Sequence, residues 1–169
     1  MTGKIHLSFD DICQDITKLG HDILCSNQKY DAILTISGGG LIPSRLLRTY
    51  VNVPIYSVGI SFYINDKMQE HPIIFQWLRE KEINFLKTHR VLIVDELSDT
   101  SGTLNLLVNK LVDDGFQPHN LGIALLYDKI KKKKFSPVMD HFQYGENLFV
   151  SKRIEDKWVV FPWDSFHKS

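Results

Sequence analysis

With only two cysteines in 169 residues, no excess of either charge and no long apolar run, the chain excludes several classes at once. Twenty basic residues balance twenty acidic ones, so no nucleic-acid-binding surface is implied. No apolar stretch approaches membrane-spanning length, and the amino terminus lacks a secretory leader pattern; a cytoplasmic protein without membrane contact is expected. The seven histidines show neither H-E-x-x-H spacing nor pairing with cysteine, which disfavours zinc. Neither G-x-x-x-x-G-K-[ST] nor a G-x-G-x-x-G after a strand occurs, so two common nucleotide-binding loops are excluded. Repeats, Pro-rich linkers and low-complexity tracts are also missing, apart from one lysine run. What is present, 43% hydrophobic and 24% charged residues, suits one packed domain over residues 1–169. Cys13 and Cys25 fall in one predicted helix opened by Ser8, with Asp11 three residues on. At that separation along a helix, about 18 Å, they do not bridge, and buried thiols in a reducing compartment are expected.

The most informative stretch is V-L-I-V-D-E-L-S-D-T-S-G-T-L, residues 91–104. Four consecutive β-branched or leucine residues suit a strand buried on both faces of a parallel sheet, with Asp95 at its carboxyl end, where ligands of open α/β sheets bind. Thr100, Ser101, Gly102 and Thr103 place hydroxyls and backbone N–H groups at the start of a predicted helix over residues 102–114, whose dipole favours an anion. Asp95 and Glu96 offer carboxylates to sugar hydroxyls, or to Mg²⁺ through water. A sugar diol on one side and a phosphate on the other fit this loop.

Three further segments have the same logic. In D-A-I-L-T-I-S-G-G-G-L-I-P-S-R-L-L-R-T, residues 31–49, a buried strand runs into Ser37, Gly38, Gly39 and Gly40 and then into a helix opened near Pro43; glycines let backbone N–H groups close on a ligand. In L-L-Y-D-K-I-K-K-K-K, residues 125–134, Lys129 follows a third core strand and can donate to a carbonyl oxygen on a base, whereas the run 131–134 reads as a solvated face. In E-D-K-W-V-V-F-P-W-D, residues 155–164, Phe161 and Trp163 read as core aromatics and Trp158 as a flat stacking surface.

Taken in order, these strings resemble the purine phosphoribosyltransferases of 6-oxopurines. They look most like the fungal hypoxanthine-guanine enzymes and, more distantly, the bacterial xanthine-guanine enzymes. The resemblance implies a type I phosphoribosyltransferase fold: an α/β domain with a five-stranded, mainly parallel sheet and helices on both faces. It also implies a hood formed by the amino-terminal segment and about residues 128–169, and a lid over about 61–78. Asp95, Glu96, Asp99 and Thr100 to Thr103 would then bind the ribose and 5′-phosphate of phosphoribosyl pyrophosphate, and Ser37 to Gly40 its pyrophosphate, with Lys133 touching the same group. Lys129 would contact O6 of the purine, Trp158 would stack on the base and the Val159 carbonyl would read its edge. Mg²⁺ would be held by Asp95 and Glu96, with Asp164 reaching a metal-bound water. Asp99 would act as general acid/base at N7, the alternative being a helix N-cap. Ser61 and Tyr63 would belong to the lid, although a β-hairpin over residues 61–78 is the competing reading.

Purine salvage by a homodimer or homotetramer follows from the same resemblance, with hypoxanthine or guanine preferred over xanthine because a carbonyl at the C2 edge accepts from a 2-amino group. Two departures stand out: Gly38 occupies a position where bacterial relatives carry arginine, and Ser101 one where many relatives carry glycine. A non-catalytic regulator of the same fold, sensing the sugar donor, is the alternative.

Overall fold

The computed structural model describes residues 3–64, 67–133 and 136–164, and the side chains of all of these except 62–71. Its main sheet is built from strands that enter the core without alternation. Strand β2 (Ala32–Ile36) is buried at every position, and β5 (Val91–Ser98) at its first four, as befits strands covered on both faces. The sheet order is β4-β3-β2-β5-β6-β7, with β3 (Ile55–Ile64), β4 (Lys67–Gln76), β6 (Leu121–Lys129) and β7 (Leu148–Ile154). Five of the six strands run parallel and β4 pairs antiparallel with β3, so the sheet is mainly parallel, as expected, but holds one strand more than the five expected.

Helices α1 (Phe9–Cys25) and α2 (Leu41–Val51) cover one face through Leu19, Ile23 and Leu47. On the other face, α3 (Glu80–Leu86) contributes Leu86, and α4 (Gly102–Asp113) contributes Leu104, Leu107, Val108 and Leu111. The capping box opening α1 is present: Ser8 Oγ accepts from the Asp11 N–H, and the Asp11 carboxylate accepts from the Ser8 N–H. Strands β1 (Lys4–His6) and β8 (Trp158–Val160) form a separate parallel pair joining the two ends of the chain. None of the helices in the described residues is long and apolar enough to cross a membrane.

Three expectations are corrected here. Cys13 and Cys25 are exposed, not buried, because the inward stripe of α1 runs through Ile12, Ile16, Leu19 and Ile23 and leaves both cysteines off that face. Asp95 does not end its strand: β5 continues to Ser98, with Asp95 opposite Leu125 and Ser98 opposite Asp128 on β6. The segment over 61–78 is the hairpin reading rather than an unpaired lid, since β4 returns along β3 with Ser61 opposite Ile73. Strand β7 was not anticipated; its L-F-V-S-K-R-I carries two exposed charges because it is the sheet's other edge.

Candidate active site

A cleft of about 320 Å³ opens above the carboxyl ends of β2, β3 and β5, lined by Ser37, Gly39, Ser61, Asp95, Glu96 and the turn from Ser98 to Thr103. This is the crevice where an open α/β sheet binds ligands. One wall is the turn after β2. Gly38 has φ +93, a conformation that suits glycine, and the N–H and hydroxyl of Ser37 both donate to the Val58 carbonyl at 2.7 and 2.8 Å. Ser37 therefore anchors this turn to β3, and its donors are not available to an anion.

Gly39 is small for a different reason. A Cβ there would lie 1.9 Å from the Glu96 carboxyl carbon, so the carboxylate is seated against the glycine turn. Gly39→Ala is expected to fold, because the group displaced is the end of a side chain, yet to weaken sugar-donor binding about tenfold or more by moving Glu96. Comparing melting temperature with donor affinity checks this, and unchanged affinity would show that the seat is unimportant.

The acids themselves are perturbed. Burial pushes the Asp95 carboxyl up to about 7, opposed by a 2.9 Å hydrogen bond from the Glu96 N–H. Burial, then the charges of Asp95 and Asp164, push Glu96 up to about 8, opposed by the Trp163 indole. Asp164, in a 3-10 turn over Pro162–Asp164, is thus close enough for its charge to act on Glu96, while Asp95 and Glu96 line the cleft and Asp164 does not. Glu96 Oε2 is buried without a hydrogen-bond partner, a place for a cation-bound water or a hydroxyl donor. Among the described residues no three Asp, Glu, His or Cys side chains converge as a direct metal cage, so the set fits Mg²⁺ held partly through water and ligand oxygens.

The opposite wall is the turn leading into α4. Ser101 is the N-cap at φ 67 with no side-chain cap bond, leaving the first-turn N–H groups of α4 to a ligand. Asp99 is not the N-cap. Its half-exposed carboxylate accepts from Lys131 Nζ at 2.7 Å and lies 3.5 Å from Lys129 Nζ. Asp156 completes the cluster, 2.9 Å from Lys131 and 3.6 Å from Lys129. Lys129 is 7% exposed at the end of β6. Trp158 is 67% exposed, whereas its neighbour Val159 is buried in β8 opposite Ile5. Tyr63 belongs to β3 opposite Met68, and its side chain lies outside the described residues.

The lysine run departs from a solvated face. Lys131 joins the acid cluster, and the Lys133 side chain, 8% exposed, pairs with Asp128 at 2.8 Å and donates to the carbonyls of Ser98 and Asp99 at 2.7 and 2.5 Å. Its donors are taken up behind the turn that leads into α4, so they are not free for the pyrophosphate contact expected from sequence. Lys134 lies outside the described residues.

Five residues of the site were not anticipated: Ser98, Asp128, Lys131, Asp156 and Trp163. Ser98 carried a signal, as a small hydroxyl following the acids that end the apolar run of β5.

Comparison with known proteins agrees with this geometry. The chain is 28% identical to xanthine phosphoribosyltransferase 1 of Saccharomyces cerevisiae, over 96% of this chain and 90% of the relative. It is 30% identical to the hypoxanthine-guanine phosphoribosyltransferase of the same yeast, over 82% of this chain and 76% of the relative. A hypothetical protein from Neisseria gonorrhoeae, crystallised with bound ppGpp, superposes with TM-score 0.81 at 32% identity, covering 99% of this chain and 92% of that one. The phosphoribosyl transferase domain model matches residues 8–165, and the chain belongs to that family.

Proposed function

We propose that this protein salvages purines, transferring the 5-phosphoribosyl group of phosphoribosyl pyrophosphate to N9 of a 6-oxopurine and releasing pyrophosphate and a nucleoside monophosphate. The observation that carries the reading is the juxtaposition of Asp99 and Lys129 with the acid pair and phosphate turn of one cleft. Asp95 and Glu96 would accept from the ribose hydroxyls, while the amides and hydroxyls from Thr100 to Thr103 would hold the 5′-phosphate. The glycine turn at Gly38 to Gly40 would face the pyrophosphate.

As N9 bonds to the anomeric carbon and the bond to pyrophosphate breaks, positive charge grows on the sugar, and flanking carboxylates suit it better than cations. Asp99 would take or steer the purine proton at N7. Lys129 would donate to O6, and the exposed face of Trp158 would stack on the base, adding about 0.5–1.5 kcal/mol beyond burial. Mg²⁺, when bound, would neutralise the leaving pyrophosphate, held by Asp95 and Glu96 with Asp164 reaching it through water. Ser61, which lines the cleft from the paired strand β3, would sit beside the bound donor. The Val159 carbonyl at the C2 edge would place hypoxanthine and guanine ahead of xanthine. A cytoplasmic homodimer or homotetramer fits the family.

The raised acids make donor binding pH-dependent. With its carboxyl pushed up to about 7, Asp95 is about half protonated at pH 7, and Glu96, pushed up to about 8, is mostly protonated; their contribution to stability is fully present below the ordinary carboxylate range of about 4 and is lost as pH rises from there through the raised values. Donor with Mg²⁺ requires the ionised forms, so affinity should rise between pH 6 and 8.5 with proton release. Calorimetry at pH 7 in two buffers of different ionisation heat checks this; buffer-independent heats would mean the acids are already ionised.

A second reading, the non-catalytic sensor, is favoured by one observation: the N. gonorrhoeae relative holds ppGpp, a purine nucleotide bearing two diphosphates. The two phosphate-facing turns of this cleft suit such a ligand. Pyrophosphate release on adding hypoxanthine to protein, donor and Mg²⁺ supports catalysis. Tight donor or ppGpp binding with no release supports the sensor.

A further inference from the structure

Lys133 has no direct part in the reaction just proposed, yet it is among the most heavily bonded side chains at the site. Its Nζ contacts Ser98 O, Ser98 Oγ at 3.1 Å, Asp99 O and Asp128 Oδ1. Asp128 is itself 4% exposed, so the pair is buried behind the turn that faces the cleft. Ser98 Oγ also lies 2.9 Å from Ser101 Oγ, and Ser101 is 5% exposed while lining the cleft.

The donor inventory constrains this chain. An ammonium only donates, and its three N–H groups meet four acceptors here, so Ser98 Oγ, the farthest at 3.1 Å, shares one of them; either serine can be the donor between Ser98 Oγ and Ser101 Oγ, and a Ser98 hydroxyl that accepts from Lys133 is free to turn its own proton toward Ser101. In that direction Ser101 keeps its own proton for a ligand in the cleft it lines. The backbone points the same way. Ser101 sits at φ 67, a left-handed conformation that disfavours a non-glycine residue, and its contact with Ser98 Oγ holds it there.

We infer that Lys133 is a positioning residue that acts through Ser98 to hold and polarise Ser101 as an additional hydroxyl donor to the 5′-phosphate. The serine that replaces a glycine in this turn is thereby a ligand rather than a tolerated departure. The inference rests on the proposed function for the identity of the phosphate, and on the turn's own geometry for the relay.

The test is titration of ribose 5-phosphate, and separately of pyrophosphate with Mg²⁺, into wild type, Lys133→Met, Ser98→Ala and Ser101→Ala. Each substitution is expected to weaken ribose 5-phosphate about tenfold, the loss of one hydrogen bond to a charged group, and to leave pyrophosphate within about twofold. Ser98→Ala combined with Ser101→Ala should be no worse than either alone, because both cut one relay. Ser98→Ala keeps the Lys133–Asp128 pair, so it decides the matter if Lys133→Met does not fold. Unchanged ribose 5-phosphate affinity in Ser98→Ala, additive losses in the double variant, loss of pyrophosphate instead, or no binding of ribose 5-phosphate to wild type would each overturn the inference. A wild type that binds ribose 5-phosphate but transfers nothing would remove the proposed catalysis while leaving the relay to be judged on these affinities.

Discussion

Asp99→Asn is expected to lower turnover by about 10²–10⁴-fold, the usual contribution of a general acid or base, while leaving the fold intact. The two halves of that expectation come from one geometry. Asp99 makes no helix cap, since the N-cap of α4 is Ser101 without a side-chain cap bond, so no capping energy is lost. Its partners Lys131 and Lys129 are contacts of a half-exposed carboxylate, and exposed pairs contribute about 0–1 kcal/mol. A fall in melting temperature below about 4 °C is therefore expected. The amide keeps the size and one acceptor but cannot take a proton, so the donor's KM should stay within a few-fold. Steady-state kinetics with denaturation curves measure all three quantities. Wild-type turnover in the variant would remove Asp99 from the chemistry.

Lys129→Met should cost about 10²-fold in kcat/KM for 6-oxopurines and much less in donor affinity. The side chain is nearly buried at the end of β6, and its distances to Asp99 and Asp156, 3.5 and 3.6 Å, are longer than those of Lys131 to the same two acids. Lys131 thus holds the carboxylates together and leaves Lys129 donors for a base carbonyl. A hydrogen bond from a charged donor is worth about 1.5–3 kcal/mol, roughly one to two orders of magnitude in rate. Methionine fills similar volume without a donor, so the preference for a 6-oxo over a 6-amino purine should narrow. Equal losses for donor binding and base use would instead show that Lys129 merely organises Asp99.

Much of this was readable before any coordinates. The runs at 32–36 and 91–94 are buried because parallel strands covered on both faces need no polar side, and residues 95–103 carried the acids and small hydroxyls of the phosphate turn in one string. The lysine run was misread because composition reports charge and not where the chain bends: Lys133 turns inward only because Asp128 and two carbonyls of the β5 end wait there. Cys13 and Cys25 lie off the inward stripe of α1 that Ile12, Ile16, Leu19 and Ile23 define, a helix phase legible in the sequence. Trp163 was read as core, and it does stack on Phe161 at 4.9 Å, but its indole also faces Glu96. Asp156 left no mark in the sequence; its part in the site exists only because β7 runs beside β6, with Ile154 opposite Lys129, and delivers the next residues to Lys129 and Lys131.

The most direct measurement is an absorbance assay of the purified protein with phosphoribosyl pyrophosphate, Mg²⁺ and each of hypoxanthine, guanine, xanthine and adenine. Conversion of hypoxanthine and guanine, less of xanthine, and none of adenine is the predicted pattern. Turnover of adenine at a rate equal to hypoxanthine, or of no base at all while the donor binds, would contradict it.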